Sequence, residues 1–277
     1  MGGAVAAALH QAGHRVLWAS AERSEQTRQR AGAAELEDVG SLAELAERSE
    51  ILLAICPPHA SLELAVALSA FTGIYIDANA TSPATAEQIA MAVGAHGATY
   101  VDGSIIGPPP LNAGSTRLYL SGAEAEGVAA ELSTPLLEAI ALPGEATSAS
   151  AIKMAHAGWT KGSAALLLTV RAAARALGVD DALAAEWERS QPGLVESSSR
   201  AAQSTAAKAW RWSGEMDEIA ATLAAAGLPD GFHRAASEVF DRIGNELDPD
   251  DLELLVHLLE TLAHVESLPP SEQRSSR

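Results

Sequence analysis

Residues 1–20 read MGGAVAAALHQAGHRVLWAS, and this stretch decides the fold. An apolar segment with helical spacing, which includes Val5 and Leu9, runs to Gly13 and is followed by the strand-like run 16–18. Glycine commonly ends a helix, and consecutive aliphatic and aromatic residues favour a strand. This order predicts the second half of a βαβ unit, from which open parallel sheets are built.

Apolar runs of strand length alternate with helical patterns as far as residue 145, which is typical of a wound sheet with crossover helices. The run from Ile51 to Cys56 is almost wholly apolar, as in a strand buried on both faces, and Pro57 and Pro58 end it. Strands are predicted near 15–20, 51–56, 73–77, 98–102, 116–121 and 138–142, and helices near 2–12, 23–31, 41–48, 60–70, 82–94 and 123–132.

Strand patterns end after about residue 145. A long helix is predicted from 148 to 177, and further helices near 180–190, 195–210, 213–226, 230–245 and 249–265. The sequence therefore predicts an α/β protein with a Rossmann-like, doubly wound sheet in residues 1–145. An all-α domain is predicted over 146–268 and a disordered tail over 269–277.

The chain carries 36 acidic and 18 basic residues, a formal net charge of −18. The electrostatic field of this negative charge repels nucleic-acid phosphates and anionic lipid surfaces, so functions in nucleic-acid or membrane binding are disfavoured. No apolar run reaches the ~18 residues that span a bilayer. Cys56 is the only cysteine, which excludes an intramolecular disulfide and suits a cytoplasmic location. No spacing of potential ligands indicates a metal site.

Two short motifs, Met1-Gly2-x-Ala4 and Ala12-Gly13-His14-x-Val16, open the chain. They resemble the end of the G-x-G-x-M-G-x-A fingerprint of the 6-phosphogluconate dehydrogenase and β-hydroxyacid dehydrogenase superfamily. Gly2 then corresponds to the third glycine, beside the pyrophosphate of a bound dinucleotide. On this resemblance a first strand with the two earlier glycines is expected upstream of Met1, through a misassigned start codon or a true truncation. Without it, both neighbouring strands would have unpaired backbone groups.

The end of the next strand distinguishes the two nicotinamide cofactors, because an acid there binds the ribose of NAD, whereas Ser and Arg suit the phosphate of NADP. Ser20, Arg23 and Ser24 favour NADP over NAD, although Glu22 stands beside them. The resemblance also implies that the nicotinamide lies near Pro57, Pro58 and Asn79.

The stretch TYVDGSIIGPPPLNAGSTRLYLSG (99–122) resembles the substrate-loop region of the superfamily. Asp102, Gly103 and Gly107 match its pattern and are expected to contact substrate. Ile106 and Pro108 depart from it, where the family usually has Ser and Gly. The substrate is therefore expected to differ from the usual ones.

The segment SASAIKMAHAGWTK (148–161) resembles the K-M-x-H-N segment of 6-phosphogluconate dehydrogenase. At ~100° per residue, Lys153, His156 and Thr160 share one helical face. The resemblance implies that Lys153 is the catalytic acid/base, with His156 as its neighbour. Ala157 replaces the usual asparagine. Thr160 and His233 are further candidate substrate contacts, and Lys161 is expected at the surface.

These residues predict an NADP-dependent oxidoreductase that transfers hydride between nicotinamide and a small hydroxy or carbonyl compound. One alternative is an imine reductase, although such enzymes usually carry another residue in place of Lys153. The other alternative is a dimeric pseudoenzyme, because the phosphate loop is incomplete. The resemblance implies a homodimer formed through the helical domain.

Overall fold

The computed structural model describes residues 1–244, 247 and 253–263. The chain divides into two compact units. The first contains Met1–His156 and Ala221–Leu228, and the second contains Ala157–Ala220 and the described residues from Pro229 onward. The predicted tail over 269–277 lies outside the described residues.

The first unit alternates strands and helices. Its strands are β1 (Leu17–Trp18), β2 (Glu37–Asp38), β3 (Ile51–Ala54), β4 (Ile74–Asp77), β5 (Thr99–Ile106), β6 (Thr116–Ser121) and β7 (Leu137–Ala141). Its helices are α1 (Gly2–Gln11), α2 (Glu25–Ala33), α3 (Leu42–Arg48), α4 (Pro58–Ala67), α5 (Pro83–Gly94) and α6 (Ala125–Leu132).

The strands form one sheet of five strands, in the order β3-β4-β5-β6-β7, and one sheet of two strands, β1-β2. Neighbouring strands are parallel except β5 and β6, which are antiparallel. The predicted α/β fold with a Rossmann-like sheet is confirmed. The sheet is nevertheless interrupted, because β1 pairs with β2 and β3 is an edge strand of the other sheet.

Local sequence signals set the starts of several helices. Ser24, Ser41 and Ser82 each accept a hydrogen bond from the backbone amide three residues later and so cap α2, α3 and α5. Pro58 and Pro83 occupy the first turns of α4 and α5, where no intrahelical amide donor is needed.

Apolar side chains cover both faces of the larger sheet. One cluster joins Val5 and Leu9 of α1 to the strands, and the other contains Leu52 and Tyr75. Tyr75 is the register neighbour of Tyr100, which packs against the same cluster. Both phenolic oxygens are buried, and among the described residues neither has a hydrogen-bond partner. Burial raises the pKa of both phenols.

The remaining described helices are α7 (Ser148–Ala176), α8 (Asp180–Ser190), α9 (Leu194–Ala206), α10 (Ala209–Ala225), α11 (Gly231–Ile243) and α12 (Leu254–Ala263). No helix among the described residues is long and apolar enough to cross a membrane.

The expectation that Lys161 lies at the surface is wrong. Its side chain is only 14% exposed and forms an ion pair with Glu215 of α10, which is 10% exposed. The ammonium also lies 5.5 Å from the ring centroid of Trp212. Burial of this charge is tolerated because a carboxylate and an aromatic face compensate for the lost water.

Two glycines allow close packing in the second unit. A Cβ atom on Gly162 would lie 3.1 Å from Nε2 of His233 and 3.2 Å from the ring of Phe232. A Cβ atom on Gly158 would lie 3.3 Å from Ile219. Any larger residue on this face of α7 would therefore push α10 or the start of α11 away.

Candidate active site at the carboxyl edge of the sheet

The loops that follow β3 and β4 are joined by one side chain. Asn79 accepts a hydrogen bond from the amide of Cys56 at 2.6 Å and donates one to the carboxylate of Asp77. Thr81 donates to the other oxygen of Asp77 at 3.4 Å. Ligands of open α/β sheets bind outside the carboxyl ends of the strands, so these contacts order the backbone at the expected place.

Two buried carboxyl groups lie side by side at this edge. Asp77 ends β4 and is the register neighbour of Asp102 in β5. Burial raises the pKa of Asp77 to about 7, because hydrogen bonds from Asn79 and Thr81 only partly compensate for the lost water and nearby Asp102 raises it further. Burial also raises the pKa of Asp102 to about 6, although hydrogen bonds from Ser150 and Ser121 favour its charged form and lower the pKa in part.

Asp102 fixes the start of α7 to the sheet. Its carboxylate accepts hydrogen bonds from the amide and the hydroxyl of Ser150, at 2.7 and 2.6 Å, and from Ser121 of β6 at 3.1 Å. The Ser121 hydroxyl in turn accepts a hydrogen bond from the backbone amide of Ala149 at 2.9 Å. A carboxylate at a helix N-terminus satisfies amides that the helix itself cannot.

Asp102 was expected to contact substrate, but its side chain is fully buried. Both its oxygens are bonded to Ser150, and one of them also to Ser121. Its position is that of an anchor for α7.

Lys153 lies one turn beyond this anchor. Its Nζ donates a hydrogen bond to the carbonyl of Ile105 at 2.7 Å. Ile105 is in β5. Asp102 of β5 lies beside Asp77, the last residue of β4, and β5 continues beyond this pair. At ~3.3 Å per residue, three residues place Ile105 about 10 Å farther on. The Lys153 ammonium is therefore held beyond the carboxyl ends of β3 and β4.

The other predicted residues of α7 take different environments. His156 and Thr160 are exposed, whereas Ala157, at the position of the usual asparagine, is buried at 2% exposure. His233 belongs to the second unit, where its Nε2 lies 3.2 Å from the carbonyl of Gly158.

The glycines of the predicted substrate loop allow the backbone to pack closely and to turn after β5. A Cβ atom on Gly103 would lie 3.1 Å from the carbonyl of Asp77, so this glycine allows β4 and β5 to approach. Gly107 has a φ of +122°, and a Cβ atom there would lie 2.2 Å from the carbonyl of Ser115. Only glycine fits this turn after β5.

Among the residues predicted to hold a dinucleotide, Gly2 lies in the first turn of α1, and Ser20, Arg23 and Ser24 lie just before α2. Gly2 begins α1, and the preceding Met1 provides no side-chain cap for the helix amides. A Cβ atom on Gly2 would contact Ile55 at 3.6 Å, so α1 begins beside the carboxyl end of β3. An uncapped helix N-terminus beside a sheet edge fits a pyrophosphate.

The end of β1 is polar. Ser24 caps α2, and Arg23 is exposed. Burial raises the pKa of the Cys56 thiol to about 11, and the positive charge of Arg23 opposes this only in part. The amide of Ser20 donates to Asp38 of β2 at 3.2 Å. Hydrogen bonds from Ser20 and Gly40 hold the pKa of Asp38 below its usual range. Pro57 and Pro58 start α4 at the end of β3.

Sequence reasoning missed several residues of this edge. Asp77 could have been found as an acid at the end of an apolar strand. The role of Ser150 and Ser121 could not, because each meets Asp102 only through the fold, at separations of 48 and 19 residues. Among the described residues, no group of three His, Cys, Asp or Glu side chains is placed to hold a metal ion.

The comparison with protein families agrees with this geometry. The family described as the NAD binding domain of 6-phosphogluconate dehydrogenase matches residues 1–154, which is more than half of the chain. The chain belongs to this family. A second family, a domain of unknown function named DUF1932, matches residues 174–243. No curated protein matches the chain.

Solved structures share the fold over nearly the whole chain. A 3-hydroxyisobutyrate dehydrogenase from Mycobacterium tuberculosis, solved with L-serine, has a TM-score of 0.69 at 17% identity and covers 95% of this chain and 96% of its own. A conserved protein from Sinorhizobium meliloti has a TM-score of 0.69 at 21% identity, covering 94% and 91%. An imine reductase from Streptomyces aurantiacus has a TM-score of 0.52 at 18% identity, covering 93% and 95%.

Proposed function

We propose that this protein is an NADP-dependent oxidoreductase that interconverts a small hydroxy compound and its carbonyl form, with Lys153 as the acid/base. One observation carries the proposal: the Nζ of Lys153 is held by the Ile105 carbonyl beyond the carboxyl ends of β3 and β4. This is where ligands of open α/β sheets bind.

Lys153 supplies the proton in this reaction. When the carbonyl compound is reduced, the ammonium donates a proton to the substrate oxygen, and in the reverse direction the neutral amine removes it. A nicotinamide bound at this edge would supply the hydride to the substrate carbon or accept it from there. The carbonyl of Ile105 orients the Nζ, and Asp102 holds the helix that carries it. The exposed His156 is the next candidate for a group that contacts substrate.

The cofactor is assigned to the start of α1 and to residues that follow β1, β3 and β4. The first-turn amides of α1, starting at Gly2, would bind the pyrophosphate, and Arg23 with Ser20 and Ser24 would bind the 2′-phosphate of NADP. The carboxylate of Asp38 already accepts hydrogen bonds from the backbone amides of Ser20 and Gly40, so it is not assigned to the ribose of NAD. Pro57, Pro58 and Asn79 would line the nicotinamide end.

Substrate contacts are assigned to the residues that follow Lys153 and β5. Thr160 is exposed on α7, and the backbone at Gly103 and Gly107 shapes the end of β5. His233 remains a candidate through its ring, although Nε2 faces the carbonyl of Gly158.

The decisive experiment compares Lys153→Met with Lys208→Met, which removes the same group from a lysine of the second unit. Hydroxy acids, aldehydes and cyclic imines are screened with NADPH and NADH. Loss of a general acid costs about 10²- to 10⁴-fold in kcat. We expect this loss for Lys153→Met with the Kd of NADPH changed less than threefold, and wild-type turnover for Lys208→Met.

The same screen separates the alternatives. Turnover of cyclic imines that survives Lys153→Met would indicate an imine reductase. Absence of NADPH binding in the wild-type chain, together with absence of turnover, would favour the pseudoenzyme and contradict the proposal.

We also assign a homodimer through the helical domain, in a cytoplasmic protein. Three large apolar side chains on α7 and one directly after its last residue are exposed, and helical spacing places all four within about 40° of one another. They are Trp159, Leu166, Val170 and Leu177, exposed at 76%, 50%, 39% and 77%. An apolar stripe of this kind favours burial against a second helix. Light scattering after size exclusion tests it, and a monomer at micromolar concentration would contradict it.

A further inference from the structure

Two buried carboxyl groups of the first unit lie on the same face of the larger sheet, in adjacent strands. Asp77 and Asp102 are register neighbours in the parallel pair β4-β5, so their Cα atoms lie about 5 Å apart. They are 1% and 0% exposed, and the groups that donate hydrogen bonds to them are neutral. Two negative charges this close repel each other strongly when they are buried, so one carboxyl is expected to retain its proton.

The partners of Asp102 favour its charged form. The backbone amide of Ser150 donates a hydrogen bond to Oδ2 of Asp102 at 2.7 Å, and an amide can only donate. The hydroxyl of Ser150 donates to Oδ1 at 2.6 Å. Both contacts lie at the N-terminus of α7, a helix of 29 residues whose peptide dipoles favour a negative charge there. Asp102 is therefore the charged member of the pair.

The partners of Asp77 accommodate a proton on one oxygen. Asn79 accepts the Cys56 amide through its own Oδ1, so its Nδ2 donates to Oδ1 of Asp77. The other oxygen of Asp77, Oδ2, lies 3.4 Å from the hydroxyl of Thr81. Because a hydroxyl can accept as well as donate, Thr81 can receive a hydrogen bond from a protonated Oδ2. Burial raises the pKa of Asp77, and the nearby charge of Asp102 raises it further.

Other titratable groups of the described chain lie on the elements around the pair. They are Cys56 at the end of β3, Tyr75 of β4, Tyr100 of β5 and Lys153 of α7. Burial raises the pKa of the thiol and of both phenols, so these three groups are neutral near pH 7. Lys153 is bonded to the carbonyl of Ile105, about 10 Å beyond Asp102 along β5. The buried residues of α5, which packs on β4 and β5, are apolar.

We propose that Asp77 and Asp102 hold one proton between them, on Oδ2 of Asp77, and that the charge left on Asp102 holds the start of α7 against the sheet. A proton taken from solvent by Asp102 in acid removes the acceptor of the Ser150 amide and so releases the first turn of α7. Lys153 lies three residues after Ser150, so its position depends on this charge. The link to catalysis rests on the proposed function, whereas the proton on Asp77 and the release of α7 do not.

Nitrogen-15 chemical shifts measured from pH 5 to pH 8 test which carboxyl carries the proton. The Ser150 amide reports on Asp102, and the side-chain amide of Asn79 reports on Asp77. We expect midpoints at the pKa values of about 6 for Asp102 and about 7 for Asp77. In Asp77→Asn the Ser150 midpoint should be unchanged, because Asp77 is still neutral in the wild-type chain while Asp102 ionises. A lower midpoint in this variant would overturn the proposal, because Asp77 would then carry the charge that raises the pKa of Asp102.

Hydrogen exchange of the Lys153 backbone amide tests the release of α7. With a pKa of about 6, about one Asp102 in eleven is protonated at pH 7 and about ten in eleven at pH 5. After correction for the intrinsic pH dependence of exchange, protection of this amide should fall about tenfold from pH 7 to pH 5. The amide of Leu168, about four turns farther along α7, should be unchanged and serves as the internal reference.

Two variants complete this test. Asp102→Asn has no carboxyl to titrate, so protection of Lys153 should no longer depend on pH, whereas Asp181→Asn, at the exposed start of α8, should retain the dependence. Equal protection of Lys153 at pH 5 and pH 7 in the wild-type chain would overturn the proposal. No substrate or cofactor enters either measurement, so failure of the proposed function would leave both results unaffected.

Discussion

Replacing Asp77 with asparagine should change how stability depends on pH. Burial raises the pKa of this carboxyl from 3.8 to about 7 in the folded protein. In the unfolded chain this carboxyl ionises near its ordinary pKa. Between about pH 4 and pH 7 the folded state therefore keeps a proton on Asp77 that the unfolded state has lost. Wild-type stability should therefore fall as the pH rises from about 4 to about 7, and this contribution should level off above pH 7.

The magnitude follows from the shift. Each pKa unit corresponds to about 1.4 kcal/mol, so three units amount to about 4 kcal/mol. Asp77→Asn keeps the shape and the acceptor for Asn79 but carries no charge. The free energy of unfolding of the variant, relative to wild type, should therefore increase by about 4 kcal/mol between pH 4 and pH 8.

Urea denaturation followed by far-UV circular dichroism at one-unit pH intervals measures this difference. Asp181→Asn, on the exposed start of α8, controls for the general loss of one negative charge. If Asp77→Asn and wild type give parallel curves from pH 4 to pH 8, then Asp77 is ionised in the folded protein and the reasoning from burial fails.

Three further predictions concern the anchor, the cofactor and the helix packing. Asp102→Ala leaves the Ser150 amide and hydroxyl unsatisfied and should lower the free energy of unfolding by about 3 kcal/mol, measured by thermal denaturation. Arg23→Ala should weaken NADPH binding by about 10- to 100-fold and leave NADH binding unchanged, measured by fluorescence titration; equal effects on both would refute the phosphate assignment. Gly162→Ala should destabilise the protein by about 1 to 3 kcal/mol because of its contact with His233, whereas Gly214→Ala, with open space around it, should stabilise it by about 1 kcal/mol.

The local parts of the fold could be predicted from the sequence because their signals are local. The helical patterns near 23–31 and 60–70 and the apolar run at Ile51 predicted α2, α4 and β3 to within a few residues. The strand β2 was missed, since its two residues, Glu37 and Asp38, are exposed and acidic and carry no strand signal. It exists because Leu17 and Trp18 pair with it.

The candidate site could be predicted only in part. The segment with Lys153 was found through its motif, but the partner of its ammonium is a backbone carbonyl 48 residues away, which no side-chain pattern reveals. Lys161 was misplaced for a related reason. A lysine on a helix is usually solvated, and its partner Glu215 lies 54 residues away. Burial of a charge depends on such long-range compensation.

The adjacent tyrosines in the core of the larger sheet have a practical consequence. Two of the chain's three tyrosines, Tyr75 and Tyr100, have phenols whose ionisation burial opposes. In alkaline solution their phenolate absorbance should appear only in molecules whose sheet has opened. The chain thus contains its own optical probe of opening in the first unit, and the rate at which this absorbance develops after a jump to high pH would report that opening without any added label.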